Sequence, residues 1–202
     1  MVTFKPHVTA ILNITPDHLD RHKTLENYIA IKESITKNQD ENDFCVLNYN
    51  DPVLREFGKT PRCKVIFFSS SEELESGVFL RGDTMIIKEN GVETPVCTTK
   101  DTSLVGMHNY ENIMAAIAMT HAMGVPLDTI RQGIKEFTAV EHRIEFVAEK
   151  NGVKYYNDSK GTNPDAARKA VYAMPSPTIL IGGGYDKKSS YDEWVATFEG
   201  RV

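Results

Sequence analysis

The sequence predicts an α/β fold with a mostly parallel sheet and a small antiparallel insertion. Three observations carry that prediction. Short, β-branched apolar runs alternate with stretches of helical character through most of the chain. Turn residues separate the runs. The texture changes to short strands around the Asn90-Gly91 turn, and alternation then resumes.

In chain order, HVTAILNI (7–14) is apolar and stops at Thr15-Pro16, as a buried strand would. Thr24 is placed to cap a helix, TLENYIAIKESITKN, whose apolar face is Leu25, Tyr28, Ile29, Ile31 and Ile35. DFCVLNY (43–49) is a second strand. DPVLREFG follows as a short helix, with Pro52 in its first turn and Gly58 at its end. CKVIFFS (63–69) is a third strand. VFLRG, TMIIKE and VETPV are the short antiparallel ones. NYENIMAAIAMTHAM, stopped by Gly124, and PLDTIRQGIKEF, opened by Pro126, are helices. RIEFVAEK and VKYYND flank Asn151-Gly152 as a second hairpin. PDAARKAVYAM is a helix, TILI (178–181) a buried strand before three glycines, and SYDEWVATFEG a final amphipathic helix. A domain break is expected near 139–143, giving domains 1–140 and 141–202.

Composition narrows the function. The chain has 202 residues, net charge −5, 41% hydrophobic and 25% charged residues, ordinary values for a globular protein with a sizeable core. That length suits one large domain or two small ones. No apolar run approaches the ~18 residues of a membrane helix. The N-terminus, with Pro6 and His7, lacks a signal-peptide layout. An acidic balance argues against non-specific nucleic-acid binding. Cys45, Cys63 and Cys97 form no CxxC pair, so a reduced, cytoplasmic protein is expected.

Three stretches carry chemistry. NITPDHLDRH (13–22) follows a strand, and ligands gather at the carboxyl ends of strands in α/β sheets. Its histidines and aspartates suit a divalent cation. His18 and His22 are four apart, but H-L-D-R-H lacks the glutamate of a zinc hydrolase. A polar loop capping the next helix is the competing reading. NDSKGTN (157–163) packs a carboxylate, an ammonium, hydroxyls and backbone N–H groups before a helix start, where anions bind. A capped turn with solvated charges fits it equally. GGGYDKKSS (182–190) approaches a phosphate loop, but Lys187 stands where the second glycine must be. A glycine-rich turn presenting Lys187 to a small anion fits better.

Taken together, these residues resemble the Mur ligases, ATP-dependent amide-forming enzymes of peptidoglycan precursor synthesis. The matching blocks are NITPDHLDRH, the lysine of NYIAIKES, GMHNYENIMAA, HRIEFV with NDSKGTNPDA, and GGGYDK. NDSKGTN looks like the members that add D-glutamate to UDP-N-acetylmuramoyl-L-alanine; sister ligases carry DYAH or DYNANP there. A sister amide ligase such as folylpolyglutamate synthase is the nearest alternative, and NDSKGTN disfavours it. The resemblance implies part of a mostly parallel central ATPase sheet, then the start of a Rossmann-like C-terminal domain. It also exposes a departure. The family's phosphate loop, G-x-x-G-K-[ST], lies upstream of the first block, and no such run occurs here. Only about 60 residues follow Arg143, fewer than a usual domain. The expectation is an interior fragment, inactive by itself or binding nucleotide weakly, of a monomeric parent acting on small molecules.

The resemblance also implies roles. ATP phosphorylates the substrate carboxylate, and the D-glutamate amine attacks the acyl phosphate. His18 matches a ligand of Mg²⁺. Lys32 matches a lysine carried as a carbamate, which turns a cation into an anion able to bind or orient the metal. Without the family, Lys32 is a solvated helix lysine. Asn109 and Asn112, three apart on one helix face, match residues that meet adenine; Asn109 also suits an N-cap. Arg143 and Lys160 match phosphate contacts and Asp158 a ribose contact. Lys32 and Lys160 would be the catalytic pair. Thr162 and Lys187 match the D-glutamate pocket, where an ammonium pairs with a carboxylate.

Overall fold

The computed structural model describes residues 3–15, 23–138, 141–185 and 190–202. They fall into two compact units: Met1–Thr102 with Asn109–Phe137, and Ser103–His108 with Thr138–Val202.

The first unit is built on a six-stranded sheet in sequence order: β1 (Val8–Ile11), β2 (Phe44–Asn48), β3 (Lys64–Ser69), β4 (Gly77–Arg81), β5 (Thr84–Glu89) and β6 (Val92–Thr98). β1 to β4 pair in parallel; β4, β5 and β6 pair antiparallel. The β3–β4 pairing spans only Phe68↔Val78 and Ser69↔Phe79, so a short connection suffices where longer parallel overlaps need a helix. α1 (Leu25–Glu33) continues as a 3₁₀ turn, Ser34–Thr36, between β1 and β2. α2 (Pro52–Phe57) joins β2 to β3. α3 (Met107–Ala122) and α4 (Leu127–Glu136) complete the unit's helices, with the first two residues of α3 grouped in the second unit.

Local chemistry explains these boundaries. Thr24 accepts the Asn27 N–H to start α1, and Asp51 accepts the Val53 and Leu54 N–H groups to start α2. Asn90 and Gly91, with φ of 52° and 77°, make the left-handed pair that a two-residue hairpin turn requires. β2 is apolar nearly throughout because Cys45, Val46 and Leu47 are all fully buried, leaving no solvent face. Cys45 and Leu47 pack with Ile11, Leu54 and Cys63. Leu74, Phe79 and Ile86 form a second cluster. Arg131 of α4 donates to the Pro95 and Val96 carbonyls, covering part of the edge strand β6. The three cysteines are free, buried thiols, and burial pushes Cys45 up to about 12 and Cys97 to about 11.

The second unit holds an antiparallel hairpin, β7 (Glu145–Lys150) with β8 (Val153–Asn157), around Asn151-Gly152. α5 (Pro164–Ala173) starts at Asn163, whose side chain accepts the Ala166 N–H. α6 (Asp192–Ala196) is shorter than the amphipathic pattern suggests; i→i+3 bonds from Thr197 and Phe198 tighten its end, and Gly200 turns left-handed. The expected strand at 178–181 does not form. Ile179 and Ile181 are each 94% exposed. A strand needs a neighbour to satisfy its ladder, and no described strand pairs with this segment. Among the described residues, no helix is long and apolar enough to cross a membrane.

Candidate active site

Parallel strands present their carboxyl ends, and the next loop, on one edge of a sheet. Ligands collect there in open α/β folds because helix starts and free backbone groups converge. In the first unit that edge is built by the residues following β1, β2 and β3. Asn48, at the end of β2, donates through Nδ2 to the Leu12 carbonyl, 3.1 Å away. Asp51 accepts the Ile14 N–H at 2.6 Å. The backbone leaving β1 is therefore tied to the loop leaving β2.

Lys32 reaches this edge. It is the penultimate residue of α1, its Nζ 3.0 Å from the Asn13 carbonyl and 4.7 Å from the Tyr28 ring centroid. It is half-buried and anchored rather than a freely solvated helix lysine. Glu33 beside it has its carboxyl pushed up by burial.

A second polar cluster stands alongside. Asn50 donates to Ser70 Oγ at 2.6 Å and to Glu111 Oε1 at 3.2 Å, and Ser70 donates to the same Glu111 oxygen at 2.7 Å. Asn50 Oδ1 accepts from the hydroxyls of Ser69 and Ser71. The network pins the start of α3 to the ends of β2 and β3. Asn109 is buried and Asn112 half-buried on that helix. Asn109 is the third residue of α3, so it lies inside the first turn and is not the N-cap.

In the second unit the sequence-derived residues meet across one turn. Asp158 Oδ1 accepts the Ile144 N–H at 3.1 Å, and Lys160 N–H donates to the His142 carbonyl at 2.9 Å. Asn157 Nδ2 lies 2.8 Å from His142 Nδ1. Arg143 is thus held between two residues clamped onto the 157–160 segment. His142 and Ile144 both have positive φ, 68° and 47°. For a β-branched residue this is costly, and such strain gathers where side chains must be aimed. Burial raises the Asp158 carboxyl, against the Ile144 N–H and the Arg143 charge, which favour the anion. A Cβ on Gly161 would overlap that carboxylate, so the bare glycine admits it. Thr162 follows directly, one residue before the cap of α5.

His18, His22 and Lys187 lie outside the described residues. Gly182 packs against the Trp194 ring, 3.1 Å from where its Cβ would be. Among the described residues no group of three His, Cys, Asp or Glu side chains could hold a metal ion. Asp51 and Glu111 were not singled out by sequence. The i,i+3 Asp51–Leu54 cap was legible, but the partners Ile14 and Ser70 are 37 and 41 residues away.

Residues 1–120 match the family described as the Mur ligase middle domain. A UDP-N-acetylmuramoylalanine–D-glutamate ligase of Lachnoclostridium phytofermentans is 52% identical over 200 residues, covering 99% of this chain and 44% of that protein. The ligase of the same name from a Thermoanaerobacter species is 48% identical over 199 residues, 98% of this chain and again 44% of the relative. The chain thus spans less than half the length of these curated relatives. Among solved structures, the MurF ligase of Thermotoga maritima in complex with ADP matches with TM-score 0.61 at 21% identity, over 85% of this chain and 40% of that one. MurC from the same organism gives 0.61 and 21%, over 84% and 38%. At such identities the likeness is one of fold.

Proposed function

The chain belongs to the Mur ligase family, and from that premise we propose that it serves the ATP-dependent addition of D-glutamate to UDP-N-acetylmuramoyl-L-alanine in peptidoglycan precursor synthesis. The observation that carries the reading is the near-half identity of almost the whole chain to ligases bearing that name. The loop NDSKGTN, clamped to the Arg143 turn, supports it from the structural side. Residues 1–140 are read as the latter part of the family's central domain and 141–202 as the opening of its C-terminal domain. The contact division at Phe137/Thr138 supports this.

The reaction joins a carboxylate to an amine by way of an acyl phosphate, so the protein must neutralise phosphate charge and orient two substrates. Arg143 and Lys160 are assigned to the phosphates, as donors that oppose their charge. Asp158 is assigned to the ribose hydroxyls, and Asn109 and Asn112 to adenine, whose edge needs both donors and acceptors. Thr162 and Lys187 are assigned to D-glutamate. Mg²⁺ fits the donor set only if Lys32 is a carbamate, since an ammonium offers no lone pair; His18 and the modified Lys32 would then hold it. Bound there, it would supply positive charge to the transferring phosphoryl group. Lys32 Nζ keeps an N–H for the Asn13 carbonyl in either form.

A graft tests this. Residues 1–202 replace the 200 matched residues of the Lachnoclostridium phytofermentans ligase, in a strain depleted of its own D-glutamate-adding enzyme. Growth is the expected result. A graft that is expressed and folded but restores no growth would refute the assignment.

A further inference from the structure

The Asn13–Ile14 peptide bond sits between two partners on opposite sides. Its N–H, on Ile14, donates to Asp51 Oδ2 at 2.6 Å. Its C=O, on Asn13, accepts from Lys32 Nζ at 3.0 Å. A trans peptide is planar and points these groups in opposite directions, and no cis peptide is present among the described residues. Fixing the N–H therefore aims the C=O. A carboxylate on the N–H also polarises the unit and makes its oxygen a better acceptor. Asn48 holds the preceding carbonyl, Leu12, so the plane is restrained on its other flank as well.

We propose that Asp51 is a positioning residue for the Lys32 amine. It acts through one peptide unit, aiming the Asn13 carbonyl that holds Nζ at the carboxyl edge of the sheet. The same carboxylate caps α2: Oδ1 accepts the Val53 and Leu54 N–H groups at 2.9 and 3.3 Å. The two oxygens thus have separate tasks. One starts the helix and the other sets the lysine. Asp meets both demands, while other good capping residues meet only one. An asparagine has a single acceptor atom; with it turned to the two N–H groups of the helix start, Ile14 faces the amide NH2, a donor. A serine caps but is too short to reach Ile14 as well. The inference rests on reading Lys32 as a catalytic group.

The test is lysine-resolved labelling of the 202-residue chain with an amine-reactive ester, read by mass spectrometry. The ratio of Lys32 to exposed Lys37 is compared between wild type, Asp51→Asn and Asp51→Ser. Both variants keep a capping side chain, so melting temperatures should stay within a few degrees. The Lys32/Lys37 ratio should rise about fivefold in each, the order of one lost hydrogen bond. An unchanged ratio in the folded variants overturns the proposal. Amide exchange in the unsubstituted chain gives a second reading that no variant can spoil. The Ile14 N–H should exchange far more slowly than a free loop amide, and exchange at the unprotected rate overturns the proposal too. No turnover enters either measurement, so failure here is separate from failure of the catalytic reading. That reading is measured by the activity of Lys32→Ala in the grafted enzyme.

Discussion

Lys32 shows what one side chain's surroundings add to its sequence position. Its place on the helix after NITPDHLDRH is legible from spacing and from the resemblance. Its anchoring by Asn13 and Tyr28 is not, because those contacts depend on where the loop after β1 is held. Asp51 sets that loop from 37 residues away, a separation no local pattern records. If Lys32 works as a carbamate, Lys32→Ala in the grafted enzyme should lower kcat by about a hundredfold, the scale of losing one electrostatic stabiliser. Added formate or acetate should restore part of that activity, by placing a carboxylate in the vacated space. Near wild-type turnover for Lys32→Ala would remove the role. Lys187 is assigned to the amino acid and not to ATP. Lys187→Ala should therefore raise the KM for D-glutamate about tenfold or more and leave the KM for ATP nearly unchanged, as loss of a charge-assisted bond to one substrate predicts. The reverse pattern would move the lysine to the nucleotide.

Elements were legible where their causes are local. The Thr24 cap, the proline-led starts of α2 and α5 and the Asn-Gly hairpins each rest on a few adjacent residues, and each forms. Segment 178–181 failed because a strand is a relation between segments: with no described strand beside it, it forms no ladder and leaves Ile179 and Ile181 exposed. The link between the start of β1 and the loop before β2 is electrostatic and responds to acid. Asp43 is pulled down to about 2, first by the Asp40 N–H, against the opposing pull of burial, and then by His7 and Lys5. Its folded pKa lies below the usual carboxylate value near 3.9. The stabilisation is therefore complete above about pH 4 and lost as pH falls toward 2. Melting temperature followed over that window should drop less steeply for Asp43→Asn than for wild type. Parallel slopes would show that Asp43 is not the group titrating.

At the scale of the whole molecule, the sequence gives both the family and its gap. The matching blocks run in order from residue 13 to the glycine turn, while no G-x-x-G-K-[ST] run occurs among the 202 residues. Backbone N–H groups and the lysine of that loop are what hold the β- and γ-phosphates. The purified 202-residue chain should therefore release no phosphate from ATP in the presence of both substrates, and release that needs both would overturn this. The helix-to-hairpin change near residue 140, on which a domain break was expected, was readable because it is a local signal. The contribution of Ser103–His108 to the second unit was not, because it depends on tertiary contacts. The assignment of the amino-acid substrate is tested most directly with the grafted enzyme, by measuring phosphate release and product mass with UDP-N-acetylmuramoyl-L-alanine and each candidate amino acid in turn. The account predicts release with D-glutamate, with a product heavier by one glutamyl residue, and none with L-glutamate or a diamino acid. Turnover with another amino acid in preference to D-glutamate would contradict it.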